Sequence, residues 1–339
     1  MTRGSSDRGG RVTRREALRI TAVTGVAVAF GGGIATALWR QLGLHRVSET
    51  RSLMGTIVTL TVVHPEAGEA RRMIGAGFAE MLRLESILSR HRPDTPVATL
   101  NVTGSLERPP AELVAVLAHA RSVSRASAGA FDVTVLPLVR LWEASFTATG
   151  RPPSDDAIET TRRLVGYRRL DVSDDRIAFA QAGMALSLDG IAKGFVVDRA
   201  IETLVARGAD RVLVDAGGDM ATAGEGSLRE PWSVGIQDPH RPGEVVDVVR
   251  LAGECVATSG DYQQSFTRDR RYHHIVDPRT GRSPEALSSA SVVAPSAMQA
   301  DALSTAVMVL GPHAGAALLE STPGVAGVIV DKVGRRIRT

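Results

Sequence analysis

The chain has a single cysteine, Cys255, in 339 residues. One thiol excludes an intramolecular disulfide and a cysteine-built zinc centre, and within "GECVATSG" it reads as a small buried hydrophobe rather than a reactive group. Aromatic residues are also scarce, at 4%, too few to interleave with basic side chains as a nucleic-acid face requires. The formal charge is only +3, and Arg3, Arg8, Arg11, Arg14, Arg15 and Arg19 crowd the N-terminus. The basic excess therefore belongs to a leader, and no nucleic-acid partner is expected. No internal repeat or low-complexity tract interrupts the body, which sets aside solenoids and disordered chains. What remains, 43% hydrophobic and 23% charged, is the profile of a soluble globular protein with a sizeable core.

One long uncharged run is present, from Ile20 to Leu38, and Arg14 and Arg15 stand before it. The layout of Val12 to Arg40 is that of a twin-arginine export signal, with Thr13 and Ala17 departing from its strongest form and Leu18 fitting it. The alternative is an uncut membrane anchor, since a run of this length can span a bilayer. Either reading places the body at the periplasm or the outer face of the cytoplasmic membrane. Ala35, Thr36 and Ala37 offer a small-x-small cleavage site. Residues 1–47 are thus expected to be leader and linker, and 48–339 one compact body.

Within that body, "RSLMGTIVTLTVV" (Arg51 to Val63) alternates and is rich in β-branched residues, predicting a strand. Apolar residues at helical spacing from Glu69 to Arg90 predict a core-facing helix. Pro109 and Pro110 open a second helix that Gly129 closes. "MALSLDG" predicts a short strand entering the helix "IAKGFVVDRAIETLVARG", which Gly208 stops. "RVLVDAGGDMATAG" predicts a strand bent at Gly217 and Gly218. "SVVAP" is a further strand, Ser296 caps a helix over Ala297 to Leu310 that Gly311 ends, a short helix spans Ala314 to Glu320, and "GVIVDKVGRRIRT" closes the chain as a hairpin. Strands and helices mix without a regular βαβ rhythm, so the fold class is α+β, mixed sheets with packed helices, rather than a doubly wound sheet.

Three stretches carry chemistry. In "SLDGIAKGFVVD" (Ser187 to Asp198) a chain entering a helix leaves backbone groups at Asp189 and Gly190 free to face a phosphate or a metal, with Lys193 one turn in; a plain turn fits the same spacing. In "ADALSTA" Asp301 and Thr305 lie four apart and share a helix face. A buried carboxylate must be paired, solvated or metal-bound. Carboxylate plus hydroxyl is hard-oxygen ligation suited to magnesium, and an internal salt bridge is the alternative. In "RYHHIVDPRTG" the adjacent His273 and His274 on a strand would point to opposite faces, so at most one faces a site.

These segments together resemble the ApbE family of FAD:protein FMN transferases. The resemblance runs from "MGTIVTLTV" through "LSRHRPDTPVATLN", "GAFDVTVLPLVRLW", "SLDGIAKGFVVDR", "VDAGGDM", "ATSGDYQQSF" and "YHHIVDPRTG" to "APSAMQADALSTAVMVLG". It implies an ApbE-like flavin transferase fold and an FAD site made by Met54, His91, Ala130, Phe131, Asp132, Ser187, Asp189, Lys193 and Ile275. It also implies a Mg2+ site made by Asp301, Thr305 and the Gly190 carbonyl, and reacting-phosphate residues His274 and Asp277. Ser187 stands in the first acidic position of a stretch that often reads "DLGGIAKG", with Asp189 two residues later. His91 stands where an aromatic ring is common, and Thr95 replaces a usual Ser.

The resemblance implies attack by a Thr or Ser hydroxyl of an acceptor protein on the FMN phosphorus, with AMP leaving and Asp277 or His274 taking the proton. The implied partner is an exported protein with an FMN-binding domain carrying a Ser/Thr flavinylation motif. An FAD pyrophosphatase releasing FMN and AMP is the neighbouring reading. A non-catalytic flavin carrier or assembly factor for an exported redox enzyme is the reading of another class.

Overall fold

The computed structural model describes residues 26–27, 43–209, 211–224 and 231–339. The leader read between Val12 and Arg40 lies outside the described residues apart from the two-residue strand β1 (Val26–Ala27). Among the described residues no helix is long and apolar enough to cross a membrane.

The predicted first strand is two. β2 (His45–Leu53) and β3 (Thr56–His64) pair antiparallel from His45 opposite His64 to Leu53 opposite Thr56. The reversal at Met54 and Gly55 places Met54 at φ 52, a left-handed conformation few non-glycine residues adopt. That is why "LMG" gave no turn signal. The core-facing helix follows as α1 (Ala67–Leu88), burying Met73, Ile74, Phe78, Met81 and Leu84 on one side. Full burial of each such side chain contributes about 1.5–3 kcal/mol.

An unpredicted helix, α2 (Pro96–Thr103), follows. Thr95 caps it by accepting from Ala98 N–H at 3.0 Å. After β4 (Ser105–Glu107) comes the expected α3 (Ala111–Ala126), then two more helices without an earlier counterpart, α4 (Leu136–Thr149) and α5 (Asp155–Arg162). A 3-10 turn at Tyr167–Arg169 leads to β5 (Leu170–Val172) and β6 (Arg176–Phe179), which with β4 form a small antiparallel sheet.

"MALSLDG" is extended chain rather than a strand, with a single parallel bridge from Ala185 to Val135. It enters α6 (Ala192–Val205) as expected. The bent strand at the double glycine is a tight hairpin, β7 (Arg211–Ala216) turning into β8 (Asp219–Ala223). Gly217 and Gly218 have φ of 63 and 100, the positive values a two-residue hairpin turn requires. β9 (Trp232–Gln237) pairs antiparallel with β1 on one side and with β10 (Val245–Leu251) on the other.

β11 (Cys255–Gly260), β12 (Leu287–Ala294), β13 (Ala326–Asp331) and β14 (Arg336–Arg338) complete the large antiparallel sheet, in the order β14-β13-β12-β11-β8-β7-β3-β2. Between β12 and β13 lie α7 (Ala297–Leu310) and α8 (Pro312–Glu320). Ser296 caps α7 and Gly311 ends it, as read from the sequence. Helices α1, α6 and α7 cover the sheet and share one apolar core. The fold is α+β.

Candidate active site

The chemistry gathers where the start of α6, the middle of α7 and the β7–β8 turn meet. Two features of α6 allow this. A Cβ on Gly194 would sit 2.2 Å from the Ala297 carbonyl oxygen, so only glycine lets α7 approach this closely. Four residues on, Asp198 reaches across and accepts from the N–H groups of Ala297 and Met298 at 2.7 and 2.9 Å, closing the N-terminus of α7. Burial pushes the Asp198 carboxyl up to about 6 despite these bonds. It also places that charge near Cys255, and burial followed by Asp198 raises the thiol well above its ordinary range.

Packed this way, α7 presents Asp301 to α6. The Asp301 carboxylate accepts from Gly194 N–H at 3.1 Å. Thr305 lies one turn on, and a Cβ at Gly190 would stand 2.8 Å from its hydroxyl oxygen. Ser259, on β11, bonds the Ser304 hydroxyl at 2.7 Å and the Thr305 hydroxyl at 3.2 Å. The three residues expected to hold a metal, Gly190, Asp301 and Thr305, are thus neighbours.

Two carboxylates that sequence reasoning left unassigned complete the cluster. Asp219, 1% exposed, stands 3.0 Å from the Lys193 ammonium, and Asp215 accepts from Gly218 N–H at 3.3 Å. The signal was in the sequence: "DAGGD" sets two acids either side of a hairpin turn. Burial, and then the charge of Asp219, push Asp301 far above the usual carboxylate range. Burial raises Asp215 to about 7 and raises Asp219 as well. Burial opposes the charge on Lys193, yet Asp219, Asp301 and Asp215 together hold the ammonium above its ordinary value. Three carboxylates against one ammonium leave an excess of negative charge in a dry pocket, which calls for protons or a cation. Oxygen donors alone line this point, and a hard divalent cation such as magnesium fits that chemistry. Among the described residues no three His, Cys, Asp or Glu side chains form a metal cage by themselves, so a bound ion would share its sphere with the Thr305 hydroxyl, the Gly190 carbonyl or the substrate.

The remaining expected residues are each held by contacts of their own. Asp189, 53% exposed, receives the Arg90 guanidinium at 2.7 Å and lies 3.9 Å from the His91 ring. Its own N–H donates to the Ser187 hydroxyl at 3.2 Å. The loop Ala130–Phe131–Asp132 is tied alongside, since Ser187 N–H donates to the Val133 carbonyl at 2.8 Å. The Asp132 carboxylate is spent on that loop, accepting from the Thr134 N–H, the Thr134 hydroxyl and the Tyr167 N–H at 2.6–2.8 Å. It therefore shapes the loop through its backbone. Met54 is held by its N–H to Glu85 at 3.1 Å. The neighbouring Thr56 packs against the Gly217 turn.

His273 and His274 lie in a loop rather than a strand, so the strand alternation expected to divide them does not apply. His273 is fully buried, its Nε2 against the Pro284 carbonyl at 3.0 Å. His274 places Nδ1 3.2 Å from the Gln264 carbonyl and feels the charges of Asp189 and Lys193. Burial lowers both imidazoles to about 4. Ile275 is buried beside them. Asp277 is differently placed: Arg279 donates to it from its backbone N–H at 2.8 Å and from its guanidinium at 2.9 Å twice. Its turn packs under Trp142, whose indole N–H donates to the Gly281 carbonyl at 2.8 Å.

Buried oxygen donors and a lysine gathered at one point between α6 and α7 are an arrangement suited to an enzyme of phosphate chemistry. The chain belongs to the ApbE family, whose model matches residues 54–329. It is 33% identical over 311 residues to the FAD:protein FMN transferase of Treponema pallidum, covering 85% of each chain. Against the FAD:protein FMN transferase of Salmonella typhimurium the identity is 30% over 298 residues, covering 84% of each. The crystal structure of the ApbE protein from Thermotoga maritima superposes with a TM-score of 0.79 at 29% identity, over 87% of this chain and 97% of that one. The apo Pseudomonas stutzeri flavinyl transferase ApbE gives 0.76 at 33%, over 87% and 94%.

Proposed function

We propose that this chain is a magnesium-dependent FAD:protein FMN transferase that attaches FMN through a phosphoester to a Thr or Ser of an exported acceptor flavoprotein. The observation that carries the reading is the convergence of Asp301, Thr305 and Gly190 beside the Lys193–Asp219 pair. A divalent cation held there by Asp301, Thr305 and the Gly190 carbonyl would neutralise charge developing on the pyrophosphate oxygens.

The contacts of His274 and Asp277 favour one destination for the proton. A carbonyl oxygen only accepts, so the contact with Gln264 puts the hydrogen of His274 on Nδ1 and leaves Nε2 with its lone pair. The lowered pKa keeps that ring neutral. Asp277, fully engaged by Arg279, is better suited to holding the turn than to accepting a proton. The acceptor hydroxyl oxygen then bonds to the FMN phosphorus, its proton passes to His274 Nε2, and the bond to the bridging oxygen breaks as AMP leaves with its electron pair.

The test combines the protein, FAD, magnesium and an acceptor domain with a Ser/Thr flavinylation motif. Flavin retained on the denatured acceptor is the expected result. Free FMN with no labelled acceptor would make the protein a pyrophosphatase instead. The twin-arginine leader supports an acceptor beyond the cytoplasmic membrane.

A further inference from the structure

We propose that a cleft between α3 and the Tyr167–Arg169 turn is a second anion site, built for a small phosphate monoester. The cleft encloses about 390 Å³ and is lined by Arg121, Arg125, Tyr167, Arg168, Arg169 and Asp171 among others. None of the residues assigned above to flavin or metal lines it. Four arginines and one aspartate, the latter exposed, are thus among its lining residues.

Two of the arginines are braced. Arg169 donates to the Gln181 side chain at 2.6 Å and to the Arg163 and Val165 carbonyls at 2.7 Å. Arg121 donates to the Leu170 carbonyl at 2.7 Å. The other two stand ready. Among the described residues no side-chain hydrogen bond or ion pair engages Arg125 or Arg168, and the Arg168 guanidinium lies over the Tyr167 ring at 5.3 Å. Two guanidiniums braced by carbonyls beside two that hold no anion are a set suited to gripping a tetrahedral dianion in bidentate fashion. The volume is at the small end of ligand pockets and exceeds a bare ion, leaving room for an ester group against Tyr167. The wall of the cleft is also joined to the expected flavin loop, because Tyr167 N–H donates to Asp132 at 2.7 Å and Gly166 N–H to the Thr134 hydroxyl at 2.8 Å.

The experiment is calorimetric titration of the whole protein with inorganic phosphate and with AMP, in wild type, Arg125→Glu and Arg168→Glu. Saturable binding of at least one probe in the wild type, weakened about tenfold or more in each variant, is the expected result. Equal affinity for phosphate and AMP would mean that the phosphate alone is read, and tighter AMP that the ester group also packs in the cleft. No saturable binding of either probe overturns the proposal. So does binding of equal strength in all three proteins, which would locate the probe elsewhere, for example in the flavin site. Both arginines are exposed and outside the transfer machinery, so flavin transfer without added probe should persist in the variants. The outcome is independent of whether the transferase reading holds.

Discussion

Asp198 and Ala297 are joined by a 2.7 Å hydrogen bond from the backbone N–H to the carboxylate, so that α6 supplies the cap of α7 and fixes where Asp301 falls one turn later. Asp198→Ala removes the two carboxylate oxygens that accept at that helix end beside Ser296, an effect worth about 1–2 kcal/mol. Chemical denaturation should show a lowered midpoint of that size, with Asp198→Asn milder because one acceptor oxygen survives. An unshifted midpoint in the alanine variant would mean that Ser296 alone closes the helix.

Gly194 and Gly190 make contrasting substitutions. A Cβ at Gly194 meets backbone, the Ala297 carbonyl at 2.2 Å, whereas at Gly190 it meets the Thr305 side chain at 2.8 Å. Gly194→Ala must push two helices apart, and overpacking of this kind costs about 1–3 kcal/mol or more. Gly190→Ala needs only Thr305 to move. The expected result is a large stability loss in the first. In the second, stability is nearly kept while the magnesium concentration for half-maximal transfer rises. Equal melting temperatures for the two variants would contradict this packing.

Asp301→Asn tests the proposed cation site directly. Losing the carboxylate should lower kcat by at least about a hundredfold, equivalent to several kcal/mol of charge stabilisation. Chelation should reduce the wild type to a similar level. The asparagine retains an acceptor for Gly194 N–H and relieves a costly buried charge beside Asp219, so the variant should melt no lower than the wild type in the absence of metal. Full activity in Asp301→Asn, or in chelated wild type, would remove the cation from the account.

Lys193→Gln leaves Asp215, Asp219 and Asp301 without their ammonium. The Asp215 carboxyl is already raised to about 7 by burial. A carboxyl raised in the folded state binds its proton more tightly there than when unfolded, so stability is greatest at low pH and declines as pH rises through 7. Removing the lysine steepens that decline. With metal chelated, the melting-temperature gap between wild type and Lys193→Gln should be small at pH 5 and widen by pH 8, toward the roughly 3 kcal/mol cost of breaking a buried pair. A gap independent of pH would show that Lys193 acts through packing alone.

Much of this arrangement was legible in the sequence because local signals agreed with the tertiary outcome. Ser296 and Gly311 bracket α7, and the spacing of Asp301 and Thr305 on a helix of small residues needed no knowledge of partners. The turn at Met54 was hidden because a methionine at φ 52 is held by the hydrogen bond to Glu85, 31 positions away. Helices α4 and α5 went unread, and they pack around the Trp142 cluster rather than against the main core. The Tyr167 partner of Asp132 and the Arg90 partner of Asp189 were out of reach, because only the folded chain defines their proximity. Thr134 and Arg279, by contrast, stood two positions from Asp132 and Asp277.

His274 supplies the sharpest test of the proton route. Its imidazole is lowered to about 4, chiefly by burial, so falling pH should leave it neutral well below the ordinary histidine range and protonate it only near that value. The ring resonances of His274, assigned by their loss in His274→Ala, should titrate with a midpoint near 4. A midpoint at about 6.5, the unperturbed value, would show the ring to be solvated and not preset as a neutral acceptor. The same variant should lose about 10²–10⁴ in kcat, the contribution of a positioned general base, while FAD binding persists because the residues expected from the family resemblance to contact flavin, Lys193 and the Ala130–Asp132 loop among them, are untouched. Asp277→Asn, by contrast, weakens the hold of Arg279 on the turn and should act mainly on stability. If the asparagine variant lost the greater activity with its fold intact, the proton would pass to Asp277.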